Sequence, residues 1–504
     1  MRITITIVLS LVLFSSFAQS LKKEKIQKLA DDYFVEGLTT LKDFLSLPNF
    51  GRIPAHIDQN LAWCERECQS LGFKTTVLVS DGVKHLLAEK TFNPSAPTVL
   101  VYLQIDGQPV DSSEWSQANP FLAVLKECNK KDCQEIAWSK LQQQWDPNWK
   151  IFARSSSDSK GPAIAFLHAL KILQREKIQP AFNIKMIMDF QEELGSPSLP
   201  ALVEEKRNQF SAKVMLIMDG TRPPGNVPNL TFGARGIATL KLTVFGPRSD
   251  LHSGQYGNFA PNPVFALSRL LASMKDENGR VLIPGFYDGV KLSKAQKALI
   301  NQSAEDKAEL LETLGIAQAE VVGDTYQEAL QYPSLNVRGL QAADVGDQVR
   351  TVIPATALAE IDMRLVPETP AERQILLLKK HIEAQGFIIL DSLPTEAQRK
   401  QFPKLVQLES RIGSKPFKTP LDSPIGVWLG LALDRALGAG TYVRLQATGG
   451  SQPIEPFIST LGLPAVSVRI PNPDSNIHAA NENLRLGNFH EGLKMCLGIL
   501  TQQL

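Results

Sequence analysis

The chain has 504 residues, of which 43% are hydrophobic and 21% are charged, and its formal net charge is +1. This composition is typical of a folded globular protein, and the length exceeds that of one ordinary domain, so the sequence predicts at least two domains. A net charge so close to zero provides no global field that would attract nucleic acid or an anionic membrane, and neither is expected as a partner.

The first twenty residues have the pattern of a signal peptide. One basic residue, Arg2, precedes an apolar stretch over residues 3–17, and the small residues Ala18 and Ser20 follow. The stretch is short for a bilayer span and ends in a cleavage-like site, which favours cleavage after Ser20 over a membrane anchor. The sequence therefore predicts a signal peptide over residues 1–20 and a mature protein that is secreted or periplasmic.

Strand and helix patterns alternate through the next part of the chain, residues 21–236. Buried strands are predicted over residues 99–103, 184–190 and 214–218, and helices over residues 23–47, 61–71 and 161–176. This alternation is typical of the α/β class, with a mostly parallel sheet covered by helices on both faces. Residues 110–151 are polar and rich in tryptophan without a clear period, and they are predicted to form a long surface excursion.

A different pattern begins near residue 237. Residues 239–245 and 357–365 alternate polar and apolar side chains, as half-buried antiparallel strands do. Helical segments lie between them, at residues 263–275 and 304–314. Residues 237–415 are therefore predicted to be an α+β domain inserted into the first. The α/β pattern resumes over residues 416–504, with helices at 425–437 and 488–500 and a strand at 465–470.

The five cysteines do not form a metal motif, because no histidine or second cysteine pair accompanies either close pair. Cys128 and Cys133 could close a small loop, whereas Cys64 and Cys68 lie four residues apart in a helical pattern. The sequence predicts free thiols by default, with one disulfide possible in an oxidising compartment.

Polar side chains follow each predicted strand of the first domain. Open α/β sheets place their sites at the carboxyl ends of strands, so these side chains are expected to converge. They are Gln104, Asp106, Glu192, Glu193 and Asp219, joined by His478 in the loop after residues 465–470 and by Asp158 just before a helix. Clustered carboxylates repel one another unless a cation compensates, and carboxylate with imidazole suits zinc, manganese or cobalt.

Each of these residues also has an ordinary structural explanation. Asp158 could be a helix N-cap, Asp219 a turn residue, and His478 a loop histidine. Residues 157–160 also spell S-x-x-K, as in penicillin-recognising serine hydrolases. The companion signatures S-D-N and K-T-G are absent, so the metal interpretation is preferred.

These residues lie within a series of motifs that resembles the dinuclear zinc metallopeptidases of the aminoacylase, carnosine dipeptidase and acetylornithine deacetylase type. The resemblance covers nearly the whole mature chain. The matching segments are the strand end QIDGQPV at 104–110, ARSSSDSKGP at 153–162, the Glu192 and Glu193 pair, Asp219, DLHSG at 250–254, TVIP at 351–354, RLVP at 364–367, GGSQP at 449–453 and His478.

The resemblance implies a role for each matched residue. Asp158 would bridge two zinc ions; Glu193 and His478 would complete one site, and Asp219 with Gln104 the other. Glu192 would be the general base, and Asp106 would support the ligand at position 104. Manganese or cobalt could replace zinc. In the inserted domain, which would form the dimerisation (lid) domain of a homodimer, His252 would reach into the partner's site. Substrate would be held by Thr351, Arg364 and Ser451.

Position 104 departs from the family pattern, which has a histidine there. An amide oxygen is a weaker zinc ligand than an imidazole. Ser159 likewise replaces the second aspartate of the D-D-K-G-P segment. Three interpretations follow: an active hydrolase with an altered metal site, a mononuclear enzyme that uses Asp158, Glu193 and His478, or a catalytically impaired relative that binds peptides. The first two are favoured, and the sequence predicts a metal-dependent hydrolase of small peptides or N-acylated amino acids.

Overall fold

The computed structural model describes residues 20–129, 132–303 and 305–504. Most of the predicted signal peptide, residues 1–19, lies outside the described residues, as does residue 304 of one predicted helix. Within the described part of the chain, none of the helices combines the length and apolarity that crossing a bilayer requires.

The helices and strands of the described residues are numbered in chain order. The α-helices are α1 Lys23–Leu45, α2 Pro54–Ser70, α3 Lys160–Arg175, α4 Leu199–Glu205, α5 Ser253–Tyr256, α6 Pro263–Ala272, α7 Lys294–Asn301, α8 Lys307–Leu314, α9 Tyr326–Ala329, α10 Ala371–Ala384, α11 Glu396–Gln401, α12 Pro424–Ala436, α13 Glu455–Leu461 and α14 Leu486–Leu500. The strands are β1 Lys74–Ser80, β2 Val83–Lys90, β3 Thr98–Gln104, β4 Val124–Cys128, β5 Cys133–Glu135, β6 Lys150–Phe152, β7 Asn183–Asp189, β8 Val214–Ile217, β9 Asn229–Thr231, β10 Gly233–Ala234, β11 Gly236–Phe245, β12 Leu251–His252, β13 Ser334–Gln341, β14 Val352–Ile353, β15 Thr356–Leu365, β16 Ile388–Leu390, β17 Leu405–Ile412, β18 Phe417–Lys418, β19 Val443–Leu445, β20 Ala465–Arg469 and β21 Asn483–Arg485.

An eight-stranded sheet forms the centre of the first domain, in the order β1-β2-β7-β3-β8-β20-β9-β19. The four central strands, β7, β3, β8 and β20, are parallel. They are continuous apolar runs because both faces of the sheet are covered. Helices α1, α3, α12 and α14 pack together on one face, and α4 and α13 contribute to a second core on the other. The predicted α/β class with a mostly parallel sheet is confirmed.

A second sheet uses the chain between Gly236 and Ile412, in the order β13-β15-β11-β17-β16. Its pairs are antiparallel except β16 with β17. In β15 the apolar residues Ala359, Ile361 and Met363 are buried, and the polar residues between them are partly exposed. This is the alternation that the sequence predicts for a sheet with one covered face. Helices α6 and α10 cover that face and close a separate hydrophobic core.

The polar segment before α3 is more ordered than predicted. Strands β4, β5 and β6 form a four-stranded antiparallel sheet with the distant β21, so the expected surface excursion is wrong as a description of residues 110–151. The segment buries Leu125, Leu141 and Trp149, and the Cys128–Cys133 disulfide joins β4 to β5. Strands of three to five residues with mixed polarity carry too weak a periodic signal to be recognised in sequence. Cys64, Cys68 and Cys496 are free and buried.

Candidate metal centre

The carboxyl ends of three neighbouring parallel strands meet at one edge of the large sheet. Gln104 ends β3, Glu192 and Glu193 follow β7, and Asp219 follows β8. Asp158 lies in the turn before α3. A cavity of about 310 Å³ opens at this edge, lined by residues that include Gln104, Asp158, Glu192, Asp219, Ser451, Arg469 and His478. The strand-end reasoning therefore brings together side chains from widely separated parts of the chain, as expected for an open α/β sheet.

Three side chains at one end of the cavity converge on a single point, and we call them the His478 half-site. His478 Nε2 lies 3.1 Å from Asp158 Oδ2 and 3.3 Å from Glu193 Oε2. Together the three residues offer ligand atoms that all lie within 4.8 Å of one another. His478 reaches this position from a loop in which its own φ is +62°, a left-handed backbone conformation that is uncommon outside glycine. The donor set of two carboxylates and one imidazole fits a divalent cation such as zinc.

Glu482, which the sequence analysis did not identify, holds the turn that presents Asp158. Its carboxylate accepts hydrogen bonds from the backbone N–H groups of Ser155, Ser157 and Asp158 at 2.8 to 2.9 Å. It also pairs with the buried guanidinium of Arg154 at 2.9 Å. The only sequence signal for this role is that Glu482 follows His478 by four residues in the same loop. Glu482 therefore links the loop that contains His478 to the turn that contains Asp158.

The other end of the cavity, which we call the Gln104 half-site, comprises Gln104, Asp219, Ser159, Gln452 and Arg469. Asp219 Oδ1 accepts a hydrogen bond from the Ser159 hydroxyl at 2.8 Å, and Oδ2 accepts one from the Gln452 amide at 2.8 Å. Gln104 is buried, and neither atom of its amide has a hydrogen-bond partner among the described residues. This end contains a permanent cation, Arg469, and its two carboxamides are weak ligands. Its donor set therefore does not fit a second divalent cation in the way that the resemblance implies.

Asp106 acts on the turn after β7. Its carboxylate accepts hydrogen bonds from the backbone N–H groups of Glu192 at 2.9 Å and Glu193 at 3.2 Å. Asp106 therefore orients the two glutamates directly, whatever residue occupies position 104. A further residue that the sequence analysis did not assign, Gln108, donates to Glu193 Oε2 at 2.6 Å.

The acidic groups of the site are held above their ordinary pKa values. Desolvation, followed by the neighbouring Asp219 and Asp158, raises the pKa of Glu192 well above its usual range. Desolvation and Asp158 raise the pKa of Glu193 to about 8. A hydrogen bond to Asp158 raises the pKa of His478 to about 9. All three shifts report an excess of negative charge in an enclosed space, which a bound cation relieves.

Three predicted functional residues come from the inserted domain, and the structure places them differently. Arg364, on β15, reaches Ser451 at the cavity, with 3.2 Å from Nη1 to Oγ. His252 and Thr351 lie together where β12 pairs with β14, and both are exposed. Among the described residues that line the cavity, neither of these two is present. The structure of this chain alone thus joins Arg364 and Ser451 to the site but leaves His252 and Thr351 outside it.

The S-x-x-K segment has a structural role here. Lys160 is buried, and its ammonium group donates to the backbone carbonyls of Phe44 and Leu47 at 2.9 and 2.8 Å. The Ser157 hydroxyl donates to the carbonyl of Asn483 at 2.8 Å. Because the two side chains are bonded to different parts of the backbone, they do not form a nucleophile and base.

Comparison with known proteins agrees with this geometry. The sequence profile described as peptidase family M20/M25/M40 matches residues 132–502. A Cys-Gly metallodipeptidase of Schizosaccharomyces pombe is 28% identical over 411 residues, which are 80% of this chain and 79% of that protein. The human β-Ala-His dipeptidase is 27% identical over 420 residues, 81% of this chain and 75% of that protein. The crystal structure of an M20 family metallo-carboxypeptidase from Sulfolobus solfataricus superposes with a TM-score of 0.74 at 27% identity, covering 92% of this chain and 98% of the other.

Proposed function

The chain belongs to peptidase family M20/M25/M40 and is a metal-dependent hydrolase of peptides, and we propose that it is an exported dipeptidase that uses zinc in the His478 half-site. One observation carries the proposal: Asp158, Glu193 and His478 place their ligand atoms within 4.8 Å of one another at the sheet edge where Glu192 lines the same cavity. This combination of ligands and a titratable acid is what amide hydrolysis by an activated water requires.

The residues of the site have separate tasks in this reaction. A divalent cation supplies Lewis-acid chemistry that polarises the substrate carbonyl and makes water more acidic. Glu192, with its raised pKa, takes the proton from the attacking water and passes it to the leaving amine. Asp106 keeps the Glu192 and Glu193 turn in position through its two backbone hydrogen bonds. Glu482 does the same for the turn that contains Asp158.

The contact between Arg364 and Ser451 supports a substrate with a free carboxyl terminus. A guanidinium binds a carboxylate through two parallel hydrogen bonds. Arg364 of the inserted domain donates a hydrogen bond to Ser451, which lines the cavity. The relatives are named for their action on dipeptides, Cys-Gly and β-Ala-His. A carboxylate anchor at a fixed distance from the metal would select peptides of this length.

The first experiment measures hydrolysis of Cys-Gly, β-Ala-His and an N-acetyl amino acid by the mature chain from Leu21 onward. We expect turnover of at least one dipeptide, loss of that turnover with a chelator, and recovery on addition of zinc. Absence of turnover with zinc bound would contradict the proposal. It would favour the second candidate, a peptide-binding protein, which rests on the weak ligand at Gln104.

The second experiment tests the carboxylate anchor. The wild-type protein should cleave a dipeptide with a free carboxylate much faster than its carboxamide. In Arg364→Met this preference should fall by about 10–100-fold in kcat/KM, since a charged hydrogen-bonded contact contributes roughly 1.5–3 kcal/mol. Arg338→Met is the matched control, because Arg338 lies on the neighbouring strand and pairs with Glu360. An unchanged preference in Arg364→Met would remove the anchor from the proposal.

A homodimer is proposed from the surface of the inserted domain. Several large apolar side chains are exposed there, and β13 is a free edge of its sheet. The exposed side chains are Phe259, Phe265, Leu340, Val345 and Val349. Oligomer interfaces bury exposed apolar side chains of this kind, and His252 lies in the same domain, outside its own chain's cavity. Light scattering should give twice the chain mass, and His252→Ala should lower kcat without changing that mass.

Export is proposed from the predicted signal peptide of residues 1–20. The test is expression of the full chain in a secreting host, followed by N-terminal sequencing of the released protein. A mature terminus at Leu21 is expected, and retention of the uncleaved chain in the cell would contradict export.

A further inference from the structure

We infer that the guanidinium of Arg469 takes the place of the second metal ion at the Gln104 half-site, so that the protein binds one ion per chain. The inference deepens the proposed function, because it concerns the same cavity and rests on the His478 half-site holding the single ion.

Arg469 occupies the end of the cavity where Asp219 lies. It is the last residue of β20, which pairs in parallel with β8, the strand that leads to Asp219. Its side chain is buried, and it lines the cavity together with Gln104, Asp158 and Asp219. The Arg469 guanidinium packs against the backbone at Gly220, where any side chain would overlap it. Gly220, with a φ of +89°, therefore provides the room that Arg469 needs.

The positive charge of Arg469 acts on the carboxylates that a second ion would use. Burial lowers the pKa of Arg469, and Asp219 and Asp158 are the acids that oppose this effect and favour its charged form. Among the described residues Arg469 has no ion pair within 4.0 Å, and its Nε and Nη2 have no hydrogen-bond partner. Its charge is therefore not neutralised by a closer acid, and arginine does not lose its proton in a protein. A divalent cation at Asp219 would have to enter beside this fixed charge.

The carboxylate of Asp219 already accepts hydrogen bonds from other side chains of the protein. Ser159 and Gln452 each donate to one oxygen of Asp219, and the Gln452 amide is itself oriented by the hydroxyl of Ser467 at 3.3 Å. Gln104 presents a neutral amide where the family pattern has an imidazole. Two hydrogen-bond donors thus occupy both oxygens of Asp219 without an ion, and the cation Arg469 lines the same end of the cavity. The His478 half-site, in contrast, has no arginine or lysine among its three members.

The test counts metal ions in the mature full-length chain. Protein is equilibrated with excess zinc, freed of unbound metal by gel filtration, and measured by elemental analysis. We expect one zinc per chain in the wild type and in Gln104→His, because Arg469 still occupies the second position. We expect two in Gln104→His/Arg469→Met, in which a histidine ligand is present and the cation is absent. Gln104→His/Arg469→Lys retains the charge and should stay at one.

The outcomes separate this inference from the proposed function. Two ions in the wild type or in Gln104→His would overturn it, and so would one ion in a folded Gln104→His/Arg469→Met. No zinc in the wild type would instead overturn the proposed function. Circular dichroism and thermal unfolding establish that each variant is folded. If the methionine variant does not fold, Gln104→His/Arg469→Gln replaces it. This variant removes the charge but keeps a polar group in the buried position. Two ions are again expected, and one ion would overturn the inference.

Discussion

The two half-sites share one edge of the large sheet, but they contain different kinds of cation. In the His478 half-site the positive group is an imidazolium, with a pKa raised to about 9 by its contact with Asp158. In the Gln104 half-site it is the guanidinium of Arg469. A histidine can release its proton and become a ligand, whereas an arginine cannot. The same cluster of acids can therefore accept an ion at one end and be closed to it at the other.

With one ion per chain, as we infer, the number of acids at a sheet edge does not determine the number of ions bound there. Asp219 has the position of a ligand, yet its two oxygens accept from Ser159 and Gln452. Asp158 and Glu193 instead contact His478, and this histidine can lose its proton when an ion binds. What decides the outcome is whether the neighbouring cation can be displaced.

The largest effect is expected from Glu192→Gln, because Glu192 lines the cavity and is the proposed base. The amide cannot accept a proton, so kcat should fall by about 10²–10⁴-fold. Bound zinc should stay at the wild-type count, since the three ligands of the His478 half-site are intact. Glu204→Gln, on α4, is the control and should keep wild-type activity. A loss of zinc in Glu192→Gln would show that Glu192 is a ligand and would break the proposed division of tasks.

The comparison between the half-sites is tested most directly by a matched pair of alanine variants. His478→Ala removes a ligand, and zinc affinity should fall by more than the roughly 10–100-fold that loss of a supporting residue costs. Gln104→Ala removes the residue at the equivalent position of the other half-site, and zinc affinity should change by less than about tenfold. Titration calorimetry on both variants gives the two values. Equal losses would mean that Gln104 also binds metal.

The sequence predicted which side chains meet at the sheet edge better than it predicted their hydrogen-bond and charge partners, for a physical reason. Gln104, Glu192 and Asp219 follow apolar runs that are recognisable as parallel strands, so their convergence follows from the fold class. The contacts that decide the chemistry have no such local signal. Gln452 lies in the GGSQP segment, but its bond to Asp219 spans 233 residues. Arg469 belongs to a strand end that no motif marked. Strand periodicity places residues at an edge, but it does not state which donors will face them.

The small sheet was missed for a related reason. Strand β21 pairs with β6 across more than 300 residues of sequence, and both have three residues. Pairing of such short strands depends on tertiary contacts, which propensity does not capture. The same region contains Glu482, whose support of Asp158 is likewise a contact between distant segments.

A smaller effect is expected from Glu482→Gln, which tests how the His478 half-site is supported. The amide retains one acceptor oxygen where the carboxylate accepts from three backbone N–H groups and from Arg154. The turn that presents Asp158 should loosen, and zinc affinity should fall by about 10–100-fold. Glu176→Gln, at a surface pair with Lys25, is the control and should keep wild-type affinity. If Glu482→Gln binds zinc like the wild type, the turn is rigid without this carboxylate.

The smallest effect is a pH dependence of stability in the metal-free chain. The pKa of Glu193 is raised to about 8 and that of Glu482 to about 7, from 4.5, so the folded state holds more protons than the unfolded state between those values. The contribution of these two groups to the free energy of unfolding then decreases as pH rises from about 4.5 to 8. His478, raised from 6.5 to about 9, acts in the same direction, with its stabilisation lost as pH rises through 9. With a chelator present, Tm should be lower at pH 8 than at pH 5.5.

Zinc should reverse this trend, because its ligands must be deprotonated, and the Tm increase on adding zinc should be larger at pH 8 than at pH 5.5. Glu193→Gln removes one of the titrating groups and should flatten the metal-free slope, whereas Gln104→Ala removes no titrating group and should leave the slope unchanged. A metal-free Tm that rises over this range would mean that the acids at this edge are already compensated in the folded chain. The charge argument for a bound ion would then fail for the His478 half-site as well, and the two ends of the cavity would no longer differ in their need for a cation.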